Sequence, residues 1–269
     1  MVAEVHPIER LRYIARSSGA DQRVLVAETA SALRNLGPDP AGLVVSCRRI
    51  VERHPTSGPL WWLCAHLLTS PEPMRAAREL AAALDSDPTP DLLADALPDG
   101  ATVCLVGWPD LAGEAVLRRG DLTVLAVDAQ DQGQAFVRRL DRADVAAEIV
   151  EPGGTSAAVL AADLLLVEAL AAAPTEMLAA AGSRAAASVA YCSEVPVWAV
   201  VGVGRCLPEA GFTSMLERVA AVRRPWHVEA EPLPLALATY IAGRGGVAGA
   251  GEGGLQPECP CAPELLRLA

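Results

Sequence analysis

The chain contains no lysine; all 22 of its basic residues are arginine. A GC-rich coding bias is enough to write arginine for lysine, but the absence still excludes chemistry. Without lysine there is no Schiff-base nucleophile, no P-loop cation and no lysine general base. Histidine is scarce as well, with four residues (His6, His54, His66 and His227). No Gly-x-Ser-x-Gly elbow is present to carry a nucleophilic serine. His66 lies in the apolar stretch Trp61–Leu68 and reads as a packing residue, and His227, after Arg224-Pro225-Trp226, has no specified partner.

A basic stripe is missing too. The balance of 33 acids against 22 bases gives a net charge of −11, the wrong sign for replacing phosphate counterions, so no nucleic-acid partner is expected. The longest apolar block, around Ala169–Ala173, is interrupted by Asp163, Glu168, Pro174 and Glu176, well short of the roughly 18 residues a membrane span needs. Met1–Arg12 carries Glu4, His6, Glu9 and Arg10 where a signal peptide would have its apolar core. A cytoplasmic location without membrane association is the expectation.

Seven cysteines are present, and in such a compartment they read first as small buried hydrophobes. Cys47, Cys64 and Cys104 fall inside apolar periodic segments. Cys259-Pro260-Cys261 is the one close pair, and the further ligands a zinc site requires, with Cys206 and His227 as candidates, are not tightly spaced. No metal and no cofactor are expected.

What is there is organisation. With 269 residues, 52% of them apolar, the chain can bury a full core. Its first hundred or so residues repeat a cap, an apolar stripe at helical spacing and a breaker. Ile8, Leu11, Ile14 and Ala15 form one stripe, stopped by Ser17-Ser18-Gly19. Asp21 caps a second, with Val24, Val26, Ala30, Leu33 and Leu36 facing inward and Gly37 closing it. Asp39-Pro40 opens a third helix, Ser57 caps an apolar fourth, and Glu72–Leu84 makes a fifth.

Asp85–Asp99, rich in Asp and Pro, marks a junction. Beyond it, short apolar strands alternate with helical segments: Thr102–Val106, Leu122–Val127, Ala147–Val150, Leu164–Val167 and Val195–Val203, with a long Ala-rich helix over Thr175–Tyr191. That alternation predicts an α/β fold: a helical N-terminal subdomain plus a Rossmann-like, largely parallel sheet with helices on both faces. The boundaries are a helical domain over residues 1–95, an α/β domain over 96–246 and a Gly/Pro-rich flexible tail over 247–269. The last residues, Glu264–Leu268, could dock as one turn.

Three local features bear on ligands. Arg53-His54-Pro55-Thr56-Ser57-Gly58 leads directly into a helix, and a helix N-terminus with hydroxyls and cations beside it can hold an anion. The same residues also read as an ordinary serine cap. Gly153-Gly154-Thr155-Ser156 follows a strand, either as an amide cradle for phosphate or as a tight turn. Gly202-Val203-Gly204 imitates the start of a dinucleotide fingerprint but lacks the third glycine, so NAD is not expected.

The serial order of segments resembles the family of the eukaryotic initiation factor 2B regulatory subunits, methylthioribose-1-phosphate isomerase and ribose-1,5-bisphosphate isomerase. The segments are His54–Trp61, Ala162–Ala169, Ala181-Gly182-Ser183 with Val195–Trp198, and Glu229–Ala242. They are similar to the family's Arg-Pro-Thr, Val-Gly-Ala, Ile-Gly-Thr with Val-Pro-Val, and closing segments. The resemblance implies a homodimer and a pocket between the two parts for a phosphorylated sugar or nucleotide. It adds Gly182 and Ser183 to Arg53, His54, Thr56, Ser57, Gly154 and Thr155 as ligand-binding candidates.

The chain departs from the isomerases at their working positions. Their Arg-Gly-Ala loop corresponds to Ser18-Gly19-Ala20, and their catalytic cysteine falls in Val106-Gly107-Trp108-Pro109, with Cys104 too early. Their catalytic aspartate falls at about Leu170, and their Asn-Lys pair at Ala179-Ala180. An aldose–ketose isomerase needs a group to move a proton and another to assist ring opening. No catalytic residues are therefore assigned. The reading is an initiation factor 2B subunit-like protein that binds a phosphorylated metabolite or acts as a dimeric scaffold. The alternative is a diverged isomerase of a sugar 1-phosphate that substitutes Asp110, Glu168, Glu176 or Cys192. A third is an interaction protein like a guanine-nucleotide-exchange factor.

Overall fold

The computed structural model describes residues 21–34, 39–221, 224–251 and 254–266. The first expected helix, the Ser18-Gly19-Ala20 match and the closing Gly37 lie outside the described residues.

Four helices form the N-terminal layer: α1 (Gln22–Arg34), α2 (Pro40–Arg53), α3 (Gly58–Thr69) and α4 (Pro73–Asp85). The start signals act as the sequence predicts. Asp39 accepts the Ala41 amide at the head of α2, and Ser57 accepts the Leu60 amide at the head of α3. Helix α3 is apolar on every side, and Leu60, Leu63, Cys64 and Leu67 are fully enclosed, which is the pattern of a central rather than a surface helix. The Asp/Pro-rich junction contains a further helix, α5 (Thr89–Ala96). Asp87 starts it by accepting the Thr89 amide at 2.9 Å, and Leu93 packs with the sheet's core rather than with α1–α4.

The rest is a doubly wound sheet. Its parallel strands are β1 (Thr102–Val106), β2 (Thr123–Val127), β3 (Ala146–Val150), β4 (Leu164–Ala172), β6 (Val197–Val201) and β8 (Tyr240–Gly243). Their spatial order is β3-β2-β1-β4-β6-β8, with the antiparallel β9 (Gly246–Gly249) closing the edge. Helices α6 (Asp110–Arg119) and α7 (Gly133–Asp141) cover one face together with α5. Helices α8 (Thr155–Ala161) and α9 (Ser183–Cys192) cover the other. The order reverses between β1 and β4, where ligands of such sheets bind at the carboxyl ends.

The structure corrects one expected element. Thr175–Tyr191 is not one helix but strand β5 (Glu176–Ala180) followed by α9. Alanine and methionine favour a helix, but β5 is paired on both sides, with β4 and with β7 (Ala230–Pro234). Two flanking ladders override the local propensity. Gly182, at φ +96, then makes the turn into α9.

Strand β4 continues past its partners β1 and β6, bulges at Ala169–Ala171 and changes sheet to pair β5. Its far end packs under α3: a Cβ on Gly58 would lie 2.6 Å from the Leu170 carbonyl. The helical layer thus shares one core with β4, β5, α10 (Glu209–Ala220) and α11 (Pro263–Leu266). The expected Gly/Pro-rich tail contains β9, and α11 docks through a buried Leu265.

Candidate functional site

Glu168 is the last residue of the parallel part of β4, opposite Val200 of β6. It is the lone acid in the run Leu164–Ala173, and it aims at the N-terminus of α6, the helix that follows β1. Its Oε1 accepts the Asp110 amide at 3.2 Å, and its Oε2 accepts the Leu111 and Ala112 amides at 2.8 and 2.9 Å. A helix N-terminus at a switch point is a ready anion site. Here the chain's own carboxylate fills it.

The compensating cation is Arg205. Its Nη1 donates to Glu168 Oε1 at 2.7 Å and also to the Ala169 carbonyl. Both side chains are deeply buried, 3% exposed for Arg205 and 8% for Glu168. Arg205 reaches the crevice because the Gly202-Val203-Gly204 turn after β6 is folded back. Asp87 accepts the Val203 amide at 2.9 Å, and Glu258 accepts the Gly204 amide at 2.7 Å. Gly204 has φ +75, and a Cβ there would press on the Trp62 ring at 2.9 Å. The apparent dinucleotide motif is thus an arm that delivers an arginine.

Asp110 completes the cluster. Burial, and next the charge of Glu168, push its carboxyl up to about 7, with Arg205 opposing. Its Oδ2 accepts the Gln22 amide at 3.4 Å, and Ser57 Oγ donates to Gln22 Oε1. The α1 end and the α3 cap are thereby tied to the crevice. Arg23 pairs with Glu114 of α6 in the same seam.

The eight ligand-binding candidates fall in different places. Ser57 is buried at the α3 cap, with its proton committed to Gln22 and a lone pair to Leu60. Burial, and next Arg53, lower the His54 pKa, so its ring is neutral at pH 7; Arg53 is exposed and Thr56 half-buried beside it. Gly182 and Ser183 open α9 close to the end of β1, with Val106 the nearest side chain to a Cβ on Gly182. The Gly182 and Arg184 amides both donate to Glu231, at 2.8 and 2.9 Å. Gly154 and Thr155 lie off the edge strand β3, and Thr155 Oγ1 donates to the Pro152 carbonyl. The crevice therefore gathers Ser57 and Gly182 near β1 and β4, and Gly154 and Thr155 stay at the far edge.

Of the four substitutes considered for an isomerase, Asp110 and Glu168 meet at the crevice. Glu176 opens β5 beside the β4–β5 turn, and Cys192 ends α9 at the opposite, amino edge of the sheet. Leu170, at the family's aspartate position, packs into the core under the helical layer. Gly107, at φ +72, donates its amide to the Val127 carbonyl at 2.9 Å and offers no nucleophile. Among the described residues no group of three or more His, Cys, Asp or Glu could hold a metal ion.

Sequence reasoning singled out Glu168 but missed Arg205, Asp87, Glu231 and Glu258. The one available signal was an arginine set among apolar residues after Gly-x-Gly.

No protein-family model and no curated protein matches the sequence. Solved structures do match the fold. The translation initiation factor eIF-2B of Pyrococcus horikoshii OT3 superposes with a TM-score of 0.76 at 14% identity, covering 90% of this chain and 96% of that one. The tetrameric eIF2B-beta2-delta2 complex of Chaetomium thermophilum gives 0.71 at 15% identity, covering 91% and 90%. The eIF2B beta subunit from the same organism gives 0.66 at 15%, covering 91% and 86%. This chain has the eIF2B-type fold: a helical N-terminal region and a mostly parallel sheet flanked by helices. No helix among the described residues is long and apolar enough to cross a membrane.

Proposed function

We propose that this chain is a non-catalytic, eIF2B subunit-like protein that works as a dimeric scaffold, and that its ancestral anion crevice is closed from within. The observation that carries this reading is the Glu168 carboxylate seated on the α6 N-terminus and paired with Arg205. A phosphate at that place would have to displace a buried carboxylate that already satisfies three amides and a guanidinium. Bringing a dianion beside an unpaired Glu168 adds like-charge repulsion in a desolvated site. Isomerisation at that centre would also need a group free to shuttle a proton at the substrate. Asp110, the group whose pKa is suited, faces Glu168 and Gln22 instead.

The scaffold half of the proposal rests on assembly in a protein of the same fold, the tetrameric beta2-delta2 complex. It rests also on the outer face of α8 and α9, which carries Arg184 as its sole charge. Leu160 and Tyr191 stand 58% and 62% exposed on that face, on a chain whose net charge is otherwise strongly negative. An apolar, charge-poor helical face of this kind is characteristic of an interface.

Light scattering on the purified chain tests assembly, with a mass of about twice 28.0 kDa expected. Leu160→Asp with Tyr191→Arg should return it to the monomer. A wild type that runs as a monomer at all concentrations rejects the scaffold. Turnover of ribose 1,5-bisphosphate or methylthioribose 1-phosphate, followed by NMR at high protein concentration, rejects the non-catalytic reading.

A further inference from the structure

The carboxyl edge of the sheet opens again beyond β6. A cavity of about 540 Å³ lies between the ends of β6 and β8 and the 254–258 segment, within the size range of small-molecule pockets. Its floor is apolar, formed by Val201, Ile241, Ala248 and Leu255. Its two charged groups have opposite sign. Glu258 is mostly buried, its side chain 16% exposed, and Arg244 stands at the mouth, 69% exposed.

The two are not closed upon each other. Glu258 Oε2 accepts the Gly204 amide, whereas Oε1 faces the cavity mouth and stands 3.7 Å from Arg244 Nη1. That separation exceeds a hydrogen bond. Burial raises the Glu258 pKa, and the Gly204 amide, Arg244 and the Cys206 amide hold it down. Glycine keeps the space open. Gly245 has no left-handed φ to require it, and a Cβ placed there would meet nothing within 4 Å.

We propose that this cavity binds a small amphipathic zwitterion, an α-amino acid with an apolar side chain. Its ammonium donates to Glu258 Oε1, its carboxylate lies on Arg244, and its side chain rests on Ile241 and Leu255. A lone anion on Arg244 would face the Glu258 carboxylate, and a lone cation on Glu258 would face the guanidinium. A ligand carrying both charged groups on one carbon satisfies each partner and covers the apolar floor. The site is separate from the Glu168–Arg205 crevice, so the proposal stands or falls independently of the scaffold reading.

The test is calorimetric titration of the full chain with L-leucine, alongside 4-methylpentanoate, which lacks the ammonium, and 3-methylbutylamine, which lacks the carboxylate. Saturable L-leucine binding is expected, with each half-molecule at least about tenfold weaker. Arg244→Ala and Gly245→Leu, both at exposed or open positions, should keep the wild-type circular dichroism and lose at least about tenfold in affinity. No heat with L-leucine at millimolar concentration overturns the proposal. So does binding that survives both variants, or that either half-molecule reproduces in full.

Discussion

Two stretches of the same sheet edge, four strands in all, are built in opposite ways. At β1 and β4 the amide donors of α6 are saturated by Glu168, both of whose oxygens are used, and Arg205 neutralises it. At β6 and β8 the acid, Glu258, takes the Gly204 amide on one oxygen and faces Arg244 across 3.7 Å with the other, its cation is exposed at the mouth, and glycines line the gap. The comparison teaches that fold does not set the site. A doubly wound sheet offers its carboxyl edge to ligands, and the residues placed there decide which part is open.

The largest effect that would break the comparison is at the closed end. Arg205→Ala strands the Glu168 carboxylate in a buried site, and losing one partner of such a pair costs about 3–5 kcal/mol. Chemical denaturation reads it directly, and adding Glu168→Gln should recover part of the loss. If Arg205→Ala is silent, the crevice is wet and the pair ornamental.

Next comes Gly202→Ala. A Cβ there has no room against Leu111 and Asp87, so overpacking should destabilise by about 1–3 kcal/mol. Gly245→Leu, at the open end, should change stability by less than about 0.5 kcal/mol. Equal effects from the two glycine variants would erase the distinction between a filled and an open edge.

The pH-dependent member of the series is Asp110→Asn. The folded state raises the Asp110 carboxyl from 3.8 to about 7, so it holds its proton more tightly than the unfolded chain does. Stability contributed by this group is therefore present below about pH 4 and is lost as pH rises through about 7. The asparagine variant should match the wild type near pH 4 and gain on it steadily up to about pH 7. Melting temperatures measured across that range check the sign, and a gap that widens toward acid would contradict it.

The sequence made the frame legible and left the site half-written. Strands β1, β2 and β6 are short apolar or β-branched runs that cannot be mistaken for amphipathic helices. Asp39 and Ser57 announce their helices locally. Strand β5 was not readable, because Glu-Met-Leu-Ala-Ala is strand only by virtue of β4 and β7 on either side. At the site, Glu168 stands out as one acid in an apolar strand. Its partner Arg205 lies 37 residues on and is placed by Asp87 and Glu258, contacts spanning 116 and 54 residues. Nothing local encodes which way a Gly-Val-Gly turn folds.

The central claim, that the chain's own carboxylate closes the crevice, is tested most directly by thermal shift of the wild-type chain with ribose 1,5-bisphosphate, methylthioribose 1-phosphate and inorganic phosphate. A ligand at about 100 times its dissociation constant would add about 2.7 kcal/mol, an easily read rise in melting temperature. The account predicts no rise with any of the three. A rise with a phosphosugar that Glu168→Gln enlarges would show the crevice to be a working phosphate site and contradict it.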